Sequence, residues 1–325
     1  MPSAKPNPRS SFVLVTGGAG FIGSHLVERL LKDGKNVVVI DDFSTGSREN
    51  LKAFAKPPQL QVIHSKISDC AELLELAGQA EFIFHLAATV GVELVVKSAL
   101  HVLEASFHET QILLRAAVKR GTPLLLTSTS EVYGKSAKTL FSEDDDLLIG
   151  PPGQSRWSYA CSKLTDEFLA LAYAREQGLP VIIARLFNTV GPRQTGRYGM
   201  VLPRFIAAAR SNEPLQVYGD GAQSRCFCLV HDAVEALVRL QNCAPARGEI
   251  FNIGGTEEVS IVELARLVVK TLGSKSKIER IPYAEAYAPG FDDMRRRKPR
   301  VSKLNQFVKF KPQTPLREII RLTAE

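Results

Sequence analysis

One stretch near the start of the chain constrains the fold more than any other. Residues 12–23 read FVLVTGGAGFIG. A short, continuous apolar run such as FVLV fits a strand buried on both faces. Gly17, Gly20 and Gly23 then fall at G-x-x-G-x-x-G spacing. The first glycine permits a tight turn, the second lets backbone approach a pyrophosphate, and the third lets a helix pack on the strand. From Phe21 and Ile22 onward a helix begins, so its free N–H groups and positive dipole end point at phosphate. A glycine triplet alone says little. Between a strand and a helix it specifies the first unit of a dinucleotide-binding sheet.

The chain downstream keeps the same rhythm. VVVI (37–40), QVI (61–63), FIFHL (82–86), PLLLT (123–127) and VIIAR (181–185) read as further buried strands between amphipathic segments. Repeated βα units give an α/β fold with a Rossmann-type, doubly wound parallel sheet covered by helices on both faces. Residues 99–119 and 157–176 are expected to be long helices, the second stopped by Gly178 and Pro180. The second strand ends in Asp41-Asp42, eighteen residues after Gly23. A carboxylate there accepts from ribose hydroxyls and repels a 2′-phosphate, which favours NAD over NADP, Asp41 more strongly than Asp42. After residue 185 glycine and proline become denser and short helices are expected. We divide the chain into a disordered tail (1–10), an NAD-binding domain (11–185) and a smaller, partly interleaved α/β substrate region (186–325).

Composition narrows the function classes. The 325 residues carry 41 Lys+Arg and 34 Asp+Glu, a net charge of +7. That is mild for this size; it suits anionic small molecules and does not call for nucleic acid. No uninterrupted apolar run reaches the ~18–20 residues of a membrane-spanning helix. The basic and apolar start is a nucleotide fingerprint and not a signal peptide. Five cysteines, an odd number, argue for a reducing compartment, so the expectation is cytoplasmic. Cys226 and Cys228 form C-x-C with only His231 nearby, so buried structural thiols are expected and no metal site. Arg295–Lys298 is a basic run that reads either as a solvated loop or as an anion contact.

The chemistry concentrates in two segments. Tyr159 and Lys163 stand four apart on an expected helix and so share a face. A phenol ionises near pH ~10. A neighbouring ammonium is expected to lower that value, making a base for a hydroxyl proton. The segment TSTSEVYG (127–134) directly follows a strand, and α/β sheets bind ligands at strand C-termini. It lacks the G-x-S-x-G elbow of a serine hydrolase.

These motifs, with FHLAA (84–88), RLFNTVGPR (185–193), YGDGAQSR (218–225) and RRRKP (295–299) in this order, resemble the extended short-chain dehydrogenase/reductases that modify nucleotide sugars: epimerases, dehydratases and decarboxylases. The resemblance runs from about Ser11 to the end. It implies bound NAD, a UDP-sugar substrate, a 4-keto sugar formed by hydride removal at C4, and a homodimer through the two long helices. Carried onto this chain, Tyr159 is the base and Lys163 its partner and a nicotinamide-ribose ligand. Thr129 is the hydroxyl beside the reacting oxygen. Gly17, Gly20, Phe21, Ile22, Gly23, Asp41, Asp42, Leu86 and Ala87 line the cofactor. Asn188, Arg193, Tyr218, Gln223 and Arg225 face the substrate nucleotide and diphosphate.

Within the family, Thr129-Ser130-Glu131, RWSYACSK and Arg297 resemble UDP-glucuronate decarboxylases. A 4,6-dehydratase would carry Asp where Ser130 stands. The resemblance therefore implies oxidation of UDP-glucuronate at C4 and loss of CO₂, with Ser130, Glu131 and Arg297 at the carboxylate. A UDP-sugar 4-epimerase uses the same Tyr159 and NAD chemistry and stays open as the alternative. Two positions depart from the family: Lys66 stands where an Asp binds adenine, and Ser106 where an Asn is common. They motivate a further alternative, a non-catalytic NAD-binding sensor.

Overall fold

The computed structural model describes residues 11–54, 58–88, 99–195, 200–282 and 294–325. The tail at 1–10 lies outside them, as do Gly196 and Gly199. The first part of the chain forms β1 (Phe12–Thr16), α1 (Phe21–Lys32), β2 (Asn36–Asp41), α2 (Glu49–Lys52), β3 (Leu60–His64), α3 (Leu73–Gln79) and β4 (Phe82–His85). Then come α4 (Ala99–Val118), β5 (Leu124–Thr129), a 3-10 turn (Ser130–Tyr133), α5 (Trp157–Gln177) and β6 (Val181–Leu186). Each strand anticipated from its apolar run is present. The long helix α5 stops at Gly178, whose left-handed φ of 68° closes the last turn with a bond to Tyr173 O.

The remainder supplies β7 (Thr189–Val190), α6 (Val201–Arg210), β8 (Leu215–Tyr218), β9 (Ser224–Cys226), β10 (Cys228–Leu229) and α7 (Val230–Gln241). It continues with β11 (Ile250–Ile253), β12 (Glu258–Ser260), α8 (Ile261–Leu272), β13 (Ile278–Ile281), β14 (Arg296–Arg297), α9 (Ser302–Val308) and α10 (Leu316–Thr323). The helices here are not uniformly short, since α7 and α8 match the 12 residues of α1. A capping box at Ser260 and Glu263 starts α8, and Gly273 ends it.

The main sheet has seven strands in the order β11-β6-β5-β4-β1-β2-β3. Its pairings are all parallel. Period-2 alternation sends Val13, Val15, Val37, Val39 and Phe84 to one face, packed with Leu26 and Leu30 of α1 and Val234 and Leu237 of α7. Leu14, Val38, Ile40, Ile83 and Leu126 face the other way, against Leu76 of α3, Leu113 of α4 and Ala170 of α5. Burial on both faces is why these strands are continuously apolar. A third cluster joins Phe205 of α6, Val217 of β8, Leu264 of α8 and Ile320 of α10. The two regions interlock: β11 pairs with β6, and α7 covers the main sheet, although both come from beyond residue 185.

The strand order reverses between β1 and β4, since β2 and β3 continue on one side and β5, β6 and β11 on the other. Ligands bind at such a reversal, outside the strand C-termini. The glycine loop follows β1 and the TSTSEVYG segment ends β5, so both open onto this edge.

Candidate active site

The glycine loop is shaped by close contacts. Gly17 has a φ of 71°, and a Cβ there would sit 2.6 Å from the Ala87 N atom. At Gly23 a Cβ would lie 2.1 Å from the Gly17 carbonyl oxygen. Leu86 N donates to Thr16 O at 3.1 Å, which holds the FHLAA segment against the loop. Helix α1 begins at Gly20 with no side-chain cap and no acidic residue in its first turn. Its first N–H groups and dipole therefore face the loop uncompensated, the arrangement that receives a pyrophosphate.

Asp41 is buried, and each carboxylate oxygen accepts one backbone N–H at 2.8 Å, from Ala19 and from Phe43. It thus braces the glycine loop, and its remaining lone pairs still suit ribose hydroxyls. Burial raises its pKa, partly offset by those two bonds. Asp42 is half-buried and accepts from the Ser44 N–H and hydroxyl. Lys66 and Asp69 are both exposed.

Tyr159 and Lys163 lie on the first turns of α5, beside the end of β5. Thr129 hydrogen-bonds the Tyr159 hydroxyl and also caps the 3-10 turn, accepting from Glu131 N at 3.2 Å. Ser130 is buried in that turn. The electrostatics correct one expectation. Burial raises the Tyr159 pKa, and the charges of Glu131 and Asp166 push it further up; the Thr129 bond opposes them. The Lys163 ammonium is instead committed to Asp166, at 3.1 Å, with both side chains almost wholly buried. Asp166 also accepts from Ser106 of α4 at 2.8 Å.

Glu131 is the hub of a charged cluster beside Tyr159. Its Oε1 meets Arg297 Nη1 at 2.6 Å and its Oε2 meets Arg156 Nη2 at 3.2 Å. The side chains of Arg297 and Arg156 are only 10% and 9% exposed. Arg297 reaches Glu131 because the basic run is not a solvated loop. It forms β14, paired in parallel with β9, with Arg297 opposite Arg225. Ser224 N donates to Arg295 O, and Phe141 N donates to Lys298 O. Arg296 and Lys298 pair with Glu258.

The other anticipated residues are distributed less evenly. Buried Arg225 donates to the Ser224 carbonyl and stands beside Arg297 on one face of the small sheet. Gln223 donates to the Tyr218 carbonyl, and the Arg204 guanidinium lies 4.5 Å from the Tyr218 ring centre. Asn188, at a φ of 35°, donates to Cys226 O and so ties the end of β6 to β9. Arg193 instead points toward α1. It pairs with Glu28 of α1, reaches Ser24, and lies over the Phe54 ring. Trp157 is a core aromatic, packed with Ala160 and Met294 and bonded to Gln154. Cys226 and Cys228 are buried free thiols; burial pushes Cys226 up to about 12.

Sequence reasoning did not single out Arg156, Asp166, Glu167 or Arg185. Arg185 of β6 and Glu167 of α5 form a buried ion pair at 2.7 Å. Ser128 donates to Glu167 at 2.5 Å, and Arg185 donates to the Tyr133 hydroxyl and the Glu143 carbonyl. This network fastens the helix bearing Tyr159 to the sheet. Arg156 and the pair Asp166–Glu167, flanking Tyr-x-x-x-Lys, were visible, but charged residues on a helix are ordinarily solvated.

The profile of the NAD dependent epimerase/dehydratase family matches residues 13–254. The chain belongs to this family. NAD is the cofactor of the family, and the glycine loop fits it. The protein is 42% identical over 313 residues to a UDP-N-acetyl-alpha-D-glucosaminuronate decarboxylase of Bacillus cytotoxicus, covering 96% of each chain. It is 38% identical to UDP-glucuronic acid decarboxylase 4 of Arabidopsis thaliana, covering 94% of this chain and 66% of that one. In structure it resembles a UDP-glucuronic acid 4-epimerase from Bacillus cereus solved with UDP-glucuronic acid and NAD, with a TM-score of 0.86, 28% identity, and coverage of 96% and 97%. This family member is therefore an NAD-dependent enzyme of nucleotide-sugar chemistry with the doubly wound fold anticipated from its fingerprint.

Proposed function

We propose that the protein is a UDP-uronate decarboxylase. The observation that carries this reading is the convergence of Arg156 and Arg297 on Glu131 beside Tyr159. Guanidinium forks recognise carboxylates by paired hydrogen bonds. Two of them at the sugar end suit a substrate that brings a carboxylate of its own. A neutral sugar would make no use of them. The names of the relatives support the same chemistry.

Gly17, Gly20, Phe21, Ile22 and Gly23 hold the pyrophosphate of NAD, Asp41 and Asp42 its adenosine ribose, and Leu86 and Ala87 line its path. NAD, when bound, accepts the hydride from C4 of the sugar. Tyr159 takes the C4 hydroxyl proton, aided by Thr129, and Lys163 holds the ribose. The product is a β-keto acid. Its C5–C6 bond then breaks, CO₂ leaves, and the electron pair flows to the C4 oxygen, which Tyr159 and Thr129 stabilise by hydrogen bonding. Protonation at C5 from solvent gives the 4-keto pentose; the hydride then returns to C4 as Tyr159 gives back its proton, yielding the UDP-pentose, or the 4-keto sugar is released with the cofactor left reduced. Arg297, Arg156 and Glu131 orient the carboxylate, with Ser130 shaping the turn. Arg225, Gln223, Tyr218 and Asn188 bind the UDP portion. Arg193 clamps α1 near the cofactor.

The protein is also proposed to dimerise through α4 and α5. Leu100, Leu103 and Phe107 of α4 and Phe168 of α5 are exposed large apolar residues on these adjoining helices. Five free cysteines support a cytoplasmic setting. Among the described residues no helix is long and apolar enough to cross a membrane.

The decisive experiment is incubation with UDP-glucuronate, UDP-N-acetylglucosaminuronate, UDP-glucose and UDP-N-acetylglucosamine, with products followed by NMR and mass spectrometry. Loss of CO₂ from a uronate is the expected result, and the two uronates together decide the substituent at C2. A 4-epimer of unchanged mass would replace this reading with an epimerase. NAD retained without turnover of any substrate would point to a sensor.

A further inference from the structure

Beneath the reacting pair lies a carboxylate that the mechanism above does not use. Asp166 stands one helical turn after Lys163 on α5, with no exposed surface. Its Oδ2 accepts from the Lys163 ammonium at 3.1 Å and from the Ser106 hydroxyl at 2.8 Å. Its Oδ1 is buried and accepts no hydrogen bond among the described residues. A buried carboxylate left half-satisfied is costly, so its position calls for a reason beyond packing.

We propose that Asp166, held by Ser106, is a positioning residue that fixes the Lys163 ammonium and sets the charge that Tyr159 faces. This rests on Tyr159 being the base. A negative charge here opposes formation of the Tyr159 phenolate. Other groups face the pair from every side. Thr129 comes from β5, and Glu131, with Arg156 and Arg297 behind it, from the 3-10 turn. His85 comes from β4, its ring between Thr16 and Thr110. His85 is held neutral, pushed down to about 3 by burial and by Lys163. Glu167 is committed to Arg185 and Ser128. Asp166 is thus the carboxylate that contacts Lys163 directly, and its removal takes away one charge while leaving the others in place.

The test is Asp166→Asn, nearly isosteric, read without turnover. Tyrosinate absorbance is titrated with pH, and the signal of Tyr159 is isolated as the part lost in Tyr159→Phe. In Asp166→Asn that midpoint is expected to fall by about one pH unit, the scale of a single close charge. The limb of the kcat/KM profile that reports ionisation of Tyr159, on UDP-glucuronate or on the uronate the protein turns over, is expected to move to lower pH with it. Ser106→Ala keeps every charge but removes a donor, so it shifts the midpoint upward by less, and Ser106→Thr restores it. Ser106→Ala also keeps the question answerable should Asp166→Asn fold poorly. An unmoved Tyr159 midpoint and an unmoved limb in Asp166→Asn, with activity lowered equally at all pH, would overturn the proposal and leave Asp166 a packing residue. Full turnover by Tyr159→Phe would overturn the assignment of the base itself, and this proposal with it.

Discussion

Replacing Glu167 by Gln tests the network that holds the active-site helix on the sheet. The change preserves shape and removes one charge from a pair in which both side chains are 3% exposed. Arg185 then keeps its charge while the acceptors that contact it, the Gln amide oxygen, the Tyr133 hydroxyl and the Glu143 carbonyl, are all neutral. Burial disfavours that charge and Glu167 favours it. Breaking a buried pair by removing one partner costs about 3–5 kcal/mol. With an unfolding entropy of ~2.1 cal/mol/K per residue, a chain of 325 residues loses about 1.5 °C per kcal/mol, so Tm falls by roughly 5–7 °C. Urea denaturation measures the free energy and calorimetry the shift in Tm. The double variant Arg185→Met with Glu167→Leu removes both charges. It should recover part of the loss, but not all, because Ser128 loses its acceptor and the Tyr133 hydroxyl loses one of its two partners. A loss below about 1 kcal/mol in Glu167→Gln would refute the reasoning, since it would mean that Arg185 is solvated or compensated by other groups.

Other consequences can be checked directly. Arg156→Met and Glu131→Gln should each lower kcat/KM for a uronate by about 10²-fold or more, through lost carboxylate orientation, while a neutral UDP-sugar binds unchanged in calorimetry. Gly17→Ala forces a left-handed φ and a 2.6 Å clash with Ala87; NAD affinity should fall at least about tenfold, from ~1–3 kcal/mol of strain. His85 is buried neutral with its pKa down to about 3 from 6.5. Its contribution to stability is complete above pH 6.5 and lost as pH falls toward 3, by up to about 1.4 kcal/mol per pH unit, and His85→Asn should flatten this part of the curve. Phe168→Glu should convert a dimer to a monomer in light scattering, with little effect on the monomer fold.

Much of this architecture was legible because its signals are local. A strand buried on both faces must be apolar at every position, so FVLV, VVVI and VIIAR announced themselves. The glycine triplet did so because each glycine answers to a close backbone approach. The placement of Tyr159 and Lys163 one turn apart on a helix followed from their spacing. The departure at Ser106 was visible as well, though not its partner, since the hydroxyl donates across 60 positions to Asp166.

Other features depend on contacts between distant segments. Arg295–Lys298 read either as a solvated loop or as an anion contact, and it took the pairing with β9 to bring Arg297 to Glu131. Arg193 followed a loop that seemed to face substrate, yet it pairs with α1. The lowered phenol pKa expected from Lys163 gave way to a raised one, because Asp166 and Glu131 are close in space and burial removes water. By itself the sequence determined the doubly wound sheet and the nucleotide edge, because periodicity and glycine spacing act over a few residues; the chemical class came with the resemblance of its ordered motifs to a known family. Only the tertiary structure decided which charges meet, and thereby how protons are held at the site, because Coulomb interactions depend on distance and burial and not on separation along the chain.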